Sequence, residues 1–403
     1  VFKDPAGTLL LISVVAFTAP LLTVITPWLR LPALVVEILL GIIIGPEVLD
    51  LVDVTEPIAF ISELGIASLI FLAGFELDPQ RVKGQPMKLA TVGWGISIVL
   101  GLAAAGLLHV TGVVVSELYV GLALTTTALG ALLPIMRDAG ILERPFGTHM
   151  LAIGSVGEFG PIVAVALVLS GNAPARSAIA LVIFAVIAAL AVVRANRPQH
   201  PKVQEALART LRTSGQLYIR TAVMLIAIMT FVAGELELDV LLGAFTAGIV
   251  YRLLVMSGAD HVQIEQIESK LEAVTLGYLV PIFFVVTGIN FDLEALINSP
   301  TAMLKVPLFL VLLLVVRGVP TLLYKKELPD PNERKALALF SATGLPLIVV
   351  ITHLGVQAGH MRTSTAAAMV GAGMLSIVLY PLLGKALLDR SAAGATASEA
   401  QPA

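Results

Sequence analysis

No cysteine occurs in the 403 residues. Disulfides, thiolate metal sites and a cysteine nucleophile are therefore excluded. Charge is scarce as well: only 13% of residues are Asp, Glu, Lys or Arg, and the net charge is −3. So small an imbalance gives no reason to expect a nucleic acid or an acidic partner. There is no His-Glu-x-x-His metal motif and no Gly-x-Ser-x-Gly nucleophile elbow, so hydrolytic chemistry has no equipment here and an enzyme is not expected. What remains is apolar. Hydrophobic residues make up 57% of the chain, with a mean hydropathy of +0.95, far from soluble-domain usage and close to that of an integral membrane protein.

Runs of about 17–25 apolar residues, the length that spans a bilayer, predict thirteen transmembrane helices. They fall at 7–27, 31–49, 57–77, 87–110, 115–136, 146–170, 176–193, 214–232, 238–256, 267–289, 302–324, 333–354 and 364–388. The chain opens on Val1 rather than Met, so residues preceding it are expected. The first run is long enough to span and does not read as a cleaved signal. With the N-terminus outside, twenty Lys and Arg fall on the cytoplasmic side and four (Lys3, Arg176, Lys305, Arg362) outside. That bias places the C-terminus in the cytoplasm.

One acid interrupts this apolar background. Glu158 lies in Gly154-Ser155-Val156-Gly157-Glu158-Phe159-Gly160-Pro161, the middle of the sixth span. A charge at the bilayer centre costs about 2.5–3.5 kcal/mol on insertion scales, so such a residue marks an ion or proton pathway or a neutralised buried pair. Ser155 shares its helical face three residues earlier. The fifth span carries Thr125-Thr126-Thr127-Ala128-Leu129-Gly130 and Pro134, and the twelfth carries Ser341-Ala342-Thr343-Gly344-Leu345-Pro346. Both predict an interrupted helix, whose free carbonyls and hydroxyls suit a hard monovalent cation.

The chain also repeats itself. Phe71-Leu72-Ala73-Gly74-Phe75-Glu76-Leu77-Asp78 matches Val285-Val286-Thr287-Gly288-Ile289-Asn290-Phe291-Asp292, and Leu40-Gly41-Ile42-Ile43-Ile44-Gly45 matches Leu242-Gly243-Ala244-Phe245-Thr246-Ala247-Gly248. Spans 1–6 and 8–13 correspond, and seven crossings separate the copies, so the repeats are inverted. Inverted repeats broken at the same place point to a secondary transporter with a mid-membrane site.

In this order, and with Val36-Glu37-Ile38-Leu39, Glu63-Leu64-Gly65 and Pro281-Ile282-Phe283-Phe284 added, these stretches resemble the monovalent cation:proton antiporters, most closely their Kef-type branch. The resemblance covers spans two to thirteen. It implies a homodimer in the plasma membrane with crossed broken helices. Residues 1–86 and 214–300 would form the dimerisation domain (spans 1–3 and 8–10), and 87–170 and 301–390 the moving core (spans 4–6 and 11–13). Residues 171–213 would be a linker helix and a basic cytoplasmic segment, and 391–403 a disordered tail. The implied activity is exchange of K⁺ or Na⁺ for H⁺, with no cofactor. Family members carry Asp-Asp or Asn-Asp in the sixth span, the second residue being the exchange site. Here the pair is Gly157-Glu158, which leaves one carboxylate and implies one proton per cation.

The resemblance makes Glu158 the shared cation and proton site, with Ser155, Thr127 and Thr126 as further cation ligands and Thr127 foremost among the threonines. Arg317, inside the eleventh span, is expected to pair with Glu158 or Glu63 or to bind unwound carbonyls, because an arginine does not release its proton in a protein. Gly41 and Gly45 fit a close helix contact, within the protomer or across a dimer. His353 and His360 lie near the outer face. No Gly-rich nucleotide-binding stretch follows span thirteen, so the Kef-type regulatory domain is not expected on this chain. A cation channel and a sodium-coupled organic-anion carrier of the same fold are the alternatives. Single-channel currents would mark the first, and a second sodium site or a roomy polar cavity the second.

Overall fold

A computed structural model describes residues 3–25, 32–76, 84–138, 140–168, 174–195, 210, 213, 215–236, 238, 240–256, 261–298 and 300–399. Among the described residues there are helices and no strands. Among the described residues, nine helices are long and apolar enough to cross a membrane. Four shorter apolar segments, Ala33–Ile44, Glu117–Leu132, Val182–Arg194 and Val240–Met256, fall on the expected spans two, five, seven and nine. Large side chains such as Phe17 (69% exposed) and Phe231 (66%) face outward while several threonines and charged groups are buried. That inversion of the soluble pattern requires a lipid surround.

The chain divides into two compact units. The first comprises residues 1–29, 33–78 and 162–290; the second comprises 30–32, 79–161 and 291–403. The cut falls within the helix Pro145–Val168, after Pro161.

In the first unit, two pairs of helices approach backbone to backbone. Ala33–Ile44 lies against Val280–Ile289, where a Cβ on Gly41 would meet the Val285 carbonyl and one on Gly288 the Ile38 carbonyl. Glu56–Glu76 lies against Val240–Met256 in the same manner, through Gly74 at Phe245 and Gly248 at Phe71. The Gly41–Gly45 motif is thus occupied by packing within the chain. Phe71, Phe75 and Tyr251 form an aromatic core there. The Tyr251 hydroxyl donates to Tyr218 O at 2.9 Å, and the Arg252 guanidinium stacks 5.1 Å over Phe75. Of the two acids noted in this half, Glu37 is buried and Glu63 is exposed.

The second unit carries the interrupted helices. Glu117–Leu124 stops, residues 125–128 are not helical, and Leu129–Asp138 resumes. Likewise Pro331–Ser341 stops, and Pro346–Gln357 resumes after residues 342–345. Gly130 and Pro134, expected to break the chain, lie instead inside Leu129–Asp138. The break falls at the threonines. Thr125 and Thr126 donate back to Leu122 O and Ala123 O at 2.8 Å, which competes with the helical ladder. Pro346 opens its helix at a position where the missing N–H costs nothing. Asp330 caps Pro331–Ser341, accepting from Asn332 N at 2.9 Å. An apolar cluster including Leu132, Phe146, Met150, Tyr324 and Phe340 holds this end together.

The basic linker expected at 194–213 lies outside the described residues except for 194–195, 210 and 213, as do Leu77, Asp78, Arg81 and Lys83. The final helix, Thr363–Glu399, continues into the segment expected to be a disordered tail.

Candidate ion site

The two interruptions in the second unit meet. Thr127 Oγ1 donates to Ser341 O at 2.6 Å, and Ala128 N donates to Thr343 O at 2.8 Å. Backbone groups released by unwinding thus find one another, as buried backbone must. Ser376, on the last helix, meets the second break: its hydroxyl accepts from Gly344 N at 3.1 Å, and its oxygen lies 2.7 Å from Gly373 O and 3.1 Å from Gly344 O, the two acceptors open to its proton.

The helix Pro145–Val168 lies against the first break. Thr127 N donates to Gly157 O at 3.1 Å, which ties the unwound segment to the residue before Glu158. Glu158 itself is buried, at 6% exposure, and Ser155 on the same face is 7% exposed. The Ser155 hydroxyl donates its proton to Leu151 O at 2.7 Å, which leaves its oxygen an acceptor. Thr126 is similarly placed, with its proton directed at Ala123 O.

Arg317 is 4% exposed and holds this arrangement together. Its Nε donates to Thr127 Oγ1 at 3.0 Å and to Ser341 O at 3.4 Å. Its Nη1 donates to Ser97 Oγ at 3.2 Å and its Nη2 to Ile153 O at 3.3 Å. Ser341 Oγ returns a bond to Arg317 O at 3.0 Å. The guanidinium therefore sits at the C-terminal end of Pro331–Ser341, where a positive charge complements the helix dipole. Of the partners considered from sequence, the unwound carbonyls are met.

Glycines make the close approach possible. Residues 154, 157 and 160 present bare backbone along one face; a Cβ on Gly157 would lie 2.5 Å from Arg317 Nη2 and 2.7 Å from Thr127 Oγ1. The volume that a side chain at 157 would need is already filled by the arginine and the threonine.

Residues 13–390 match the family model described as sodium/hydrogen exchanger, transmembrane. The chain belongs to that family. YjbQ of Bacillus subtilis, which carries the name of a Na⁺/H⁺ antiporter, is 25% identical over 402 residues, covering 95% of this chain and 63% of YjbQ. The glutathione-regulated potassium-efflux system protein KefC of Klebsiella pneumoniae (strain 342) is 28% identical over 396 residues, 93% of this chain and 60% of KefC. The chain spans about three fifths of the length of these relatives. Its fold matches that of the sodium proton antiporter MjNhaP1 from Methanocaldococcus jannaschii, with a TM-score of 0.65 at 15% identity over 94% of this chain and 96% of that one.

Within this exchanger-family fold, the five residues singled out from sequence fall in one unit. The Thr127 hydroxyl both donates to Ser341 O and accepts from Arg317, which leaves it one lone pair. Arg317 braces backbone and hydroxyls. Ser97 and Ser376, which also hold the breaks, were not foreseen. Each is a lone small hydroxyl in an apolar run, and only its distant partner distinguishes it from a packing residue.

Proposed function

We propose that this chain is a secondary active antiporter that exchanges a monovalent cation, K⁺ or Na⁺, for H⁺ across the cytoplasmic membrane. The observation that carries this reading is Glu158, a buried acid one residue beyond the carbonyl that receives Thr127 N. The relatives named for sodium/proton antiport and for potassium efflux support it and bring both cations into the test. Glu158 holds either the cation or the proton, never both, so exchange is competition for one carboxylate. Ser155, on the same helical face, and Thr126, next to the Thr127 that bonds Gly157 O, carry the further oxygens the cation would use. Thr127 and Arg317 keep the two breaks at fixed spacing.

On this reading the second unit is the moving core, and the first supplies the scaffold and the homodimer contact. The thirteen helices form two inverted repeats, with the N-terminus outside and the C-terminus in the cytoplasm. Gly157 leaves Glu158 as the one proton carrier at the site, so one proton is traded for one cation and no net charge moves.

Proton flux in proteoliposomes, driven in turn by Na⁺, K⁺, Li⁺ and Rb⁺ gradients, tests the reading. Exchange is expected with Na⁺ or K⁺ at the same rate with and without an imposed membrane potential. Absence of flux with every cation rejects antiport, and a sustained current that scales with the cation gradient rejects the one-for-one stoichiometry.

A further inference from the structure

Two of the four basic residues assigned to the outer side, Lys305 and Arg362, come together at one end of the second unit. Lys305 lies in the second turn of Pro300–Gly318 and is 7% exposed, while Arg362, just before Thr363–Glu399, is exposed. The Lys305 ammonium donates to Thr365 Oγ1 at 3.0 Å, a bond between two buried groups. A hydroxyl satisfies one of the ammonium's three N–H donors but none of its charge. The charge that acts on Lys305 through space is that of Arg362, which has the same sign. Among the described residues no carboxylate lies within ion-pair distance of either.

The acids of that end are engaged elsewhere. The short helix Leu293–Ile297 packs on both Pro300–Gly318 and Thr363–Glu399. Its cap, Asp292, accepts from Ala295 N at 2.8 Å, and Glu294 takes a bond from Asn298 Nδ2 at 3.1 Å. A lysine is almost never this buried unless paired, and near a membrane surface it ordinarily turns its ammonium out to water. Here the ammonium is turned inward, beside a second cation. Two like charges held in a poorly screened place favour an anion as their common partner. The start of Thr363–Glu399 adds to the field, because the positive end of its dipole follows directly after Arg362. The Thr365 hydroxyl accepts from Lys305 and keeps its own proton for a second acceptor.

We propose that this end of the second unit binds the phosphate of an anionic phospholipid, with Lys305, Arg362 and Thr365 as its donors. A phosphodiester brings a negative charge and enough acceptor oxygens for an ammonium, a guanidinium and a hydroxyl. Arg362, being exposed, is the group a headgroup meets first, and Lys305 and Thr365 lie behind it. The same helix offers a surface to the acyl chains: Met303 and Leu304, immediately before Lys305, are 54% and 71% exposed. That apolar neighbour favours a lipid over a free phosphate ion, which has no chain to lay against it. Further along, Tyr380 Oη donates to Leu310 O at 2.5 Å and joins the same two helices. The headgroup would close the end beyond that bond, and so steady the pair. This site does not depend on the antiport reading.

Melting of the purified protein in a neutral detergent tests it, with phosphatidylglycerol, phosphatidylcholine of the same acyl chains, or sodium phosphate added at matched ionic strength. Native mass spectrometry would count the lipids held and their affinity. A ligand that binds the folded state raises its melting temperature. Wild type should melt higher with phosphatidylglycerol than with phosphatidylcholine, and phosphate should leave it unchanged. Lys305→Met and Arg362→Gln should each weaken the binding of one phosphatidylglycerol by about fivefold or more, the step that one basic residue contributes at an anionic surface, and should shrink the rise in melting temperature. Lys88→Gln, which removes an exposed charge from the helix Gln85–Val110 of the same unit, should keep both. An equal response to phosphatidylcholine overturns the role of charge, and a rise reproduced by phosphate overturns the lipid as its source. Phosphatidylglycerol binding that is unchanged in the Lys305 and Arg362 variants, or equally weakened in Lys88→Gln, overturns the site. If Lys305→Met fails to fold, Arg362→Gln decides alone, since its side chain is exposed.

Discussion

A single methyl group added at Gly157 probes the tightest point of the site. The new Cβ would lie 2.5 Å from Arg317 Nη2, 2.7 Å from Thr127 Oγ1 and 2.9 Å from Thr127 Cβ. Neither neighbour can swing away freely. The guanidinium is held by Ser97 and Ile153, and Thr127 is held through its hydroxyl at Ser341 O and its own N–H at Gly157 O. Overpacking of this kind costs about 1–3 kcal/mol. In a chain this long each kcal/mol moves the melting temperature by about 1 °C, so Gly157→Ala should melt roughly 1–4 °C lower in detergent. The strain falls on the bond beside Glu158. If all of it enters the transport barrier, exchange slows about 5- to 150-fold. Arg317→Ala removes one of the two groups in the way, so the methyl group should cost less in that background. The double-mutant coupling should exceed about 0.5 kcal/mol. Wild-type melting and exchange in Gly157→Ala, or effects that simply add, would refute the claim that Arg317 fills the place of a side chain at 157.

Arg317→Ala should lower both thermal stability and exchange. Its lost charge-assisted bonds are worth about 1.5–3 kcal/mol each, while several kcal/mol of guanidinium desolvation is relieved, for a net loss of about 1–3 kcal/mol. Arg317→Lys should recover part of both effects, since one ammonium cannot reproduce the planar fork; an alanine variant as stable and active as wild type would remove Arg317 from the site. Asp330→Ala should cost about 1 kcal/mol through the lost helix cap. The Ser391 hydroxyl, and then the Asn332 N–H, hold the Asp330 carboxyl below its usual range. Its contribution is therefore complete above about pH 4 and disappears as pH falls through the lowered folded value. The variant's stability should accordingly converge on wild type in acid, and a constant gap at all pH values would contradict this.

Periodicity and length were enough to locate the apolar segments, because lipid demands that every backbone bond close within its own helix. The interruptions were legible in outline from hydroxyl, glycine and proline content. Their position was set by something sequence spacing does not encode. Thr127 N and Ala128 N leave the ladder because Gly157 O and Thr343 O stand ready for them, and those acceptors come from other helices. Gly157 shows the same limit from the other direction. In the sequence it reads as a polar residue lost from a pair; in the fold it is the clearance required by Arg317 and Thr127. Arg317 was recognisable as a buried charge, but its acceptors are mostly carbonyls and hydroxyls, which carry no compositional signal. Ser97 and Ser376 were silent for the same reason.

The central claim concerns one carboxylate, and replacing its oxygen with an amide tests it most directly. Purified wild type and Glu158→Gln would be reconstituted at equal density and orientation, and proton release followed after a Na⁺ or K⁺ pulse. The account predicts a variant that inserts and melts like wild type yet releases no protons in response to either cation, with Glu158→Asp retaining partial exchange at altered apparent affinity. Wild-type proton release from Glu158→Gln would contradict it.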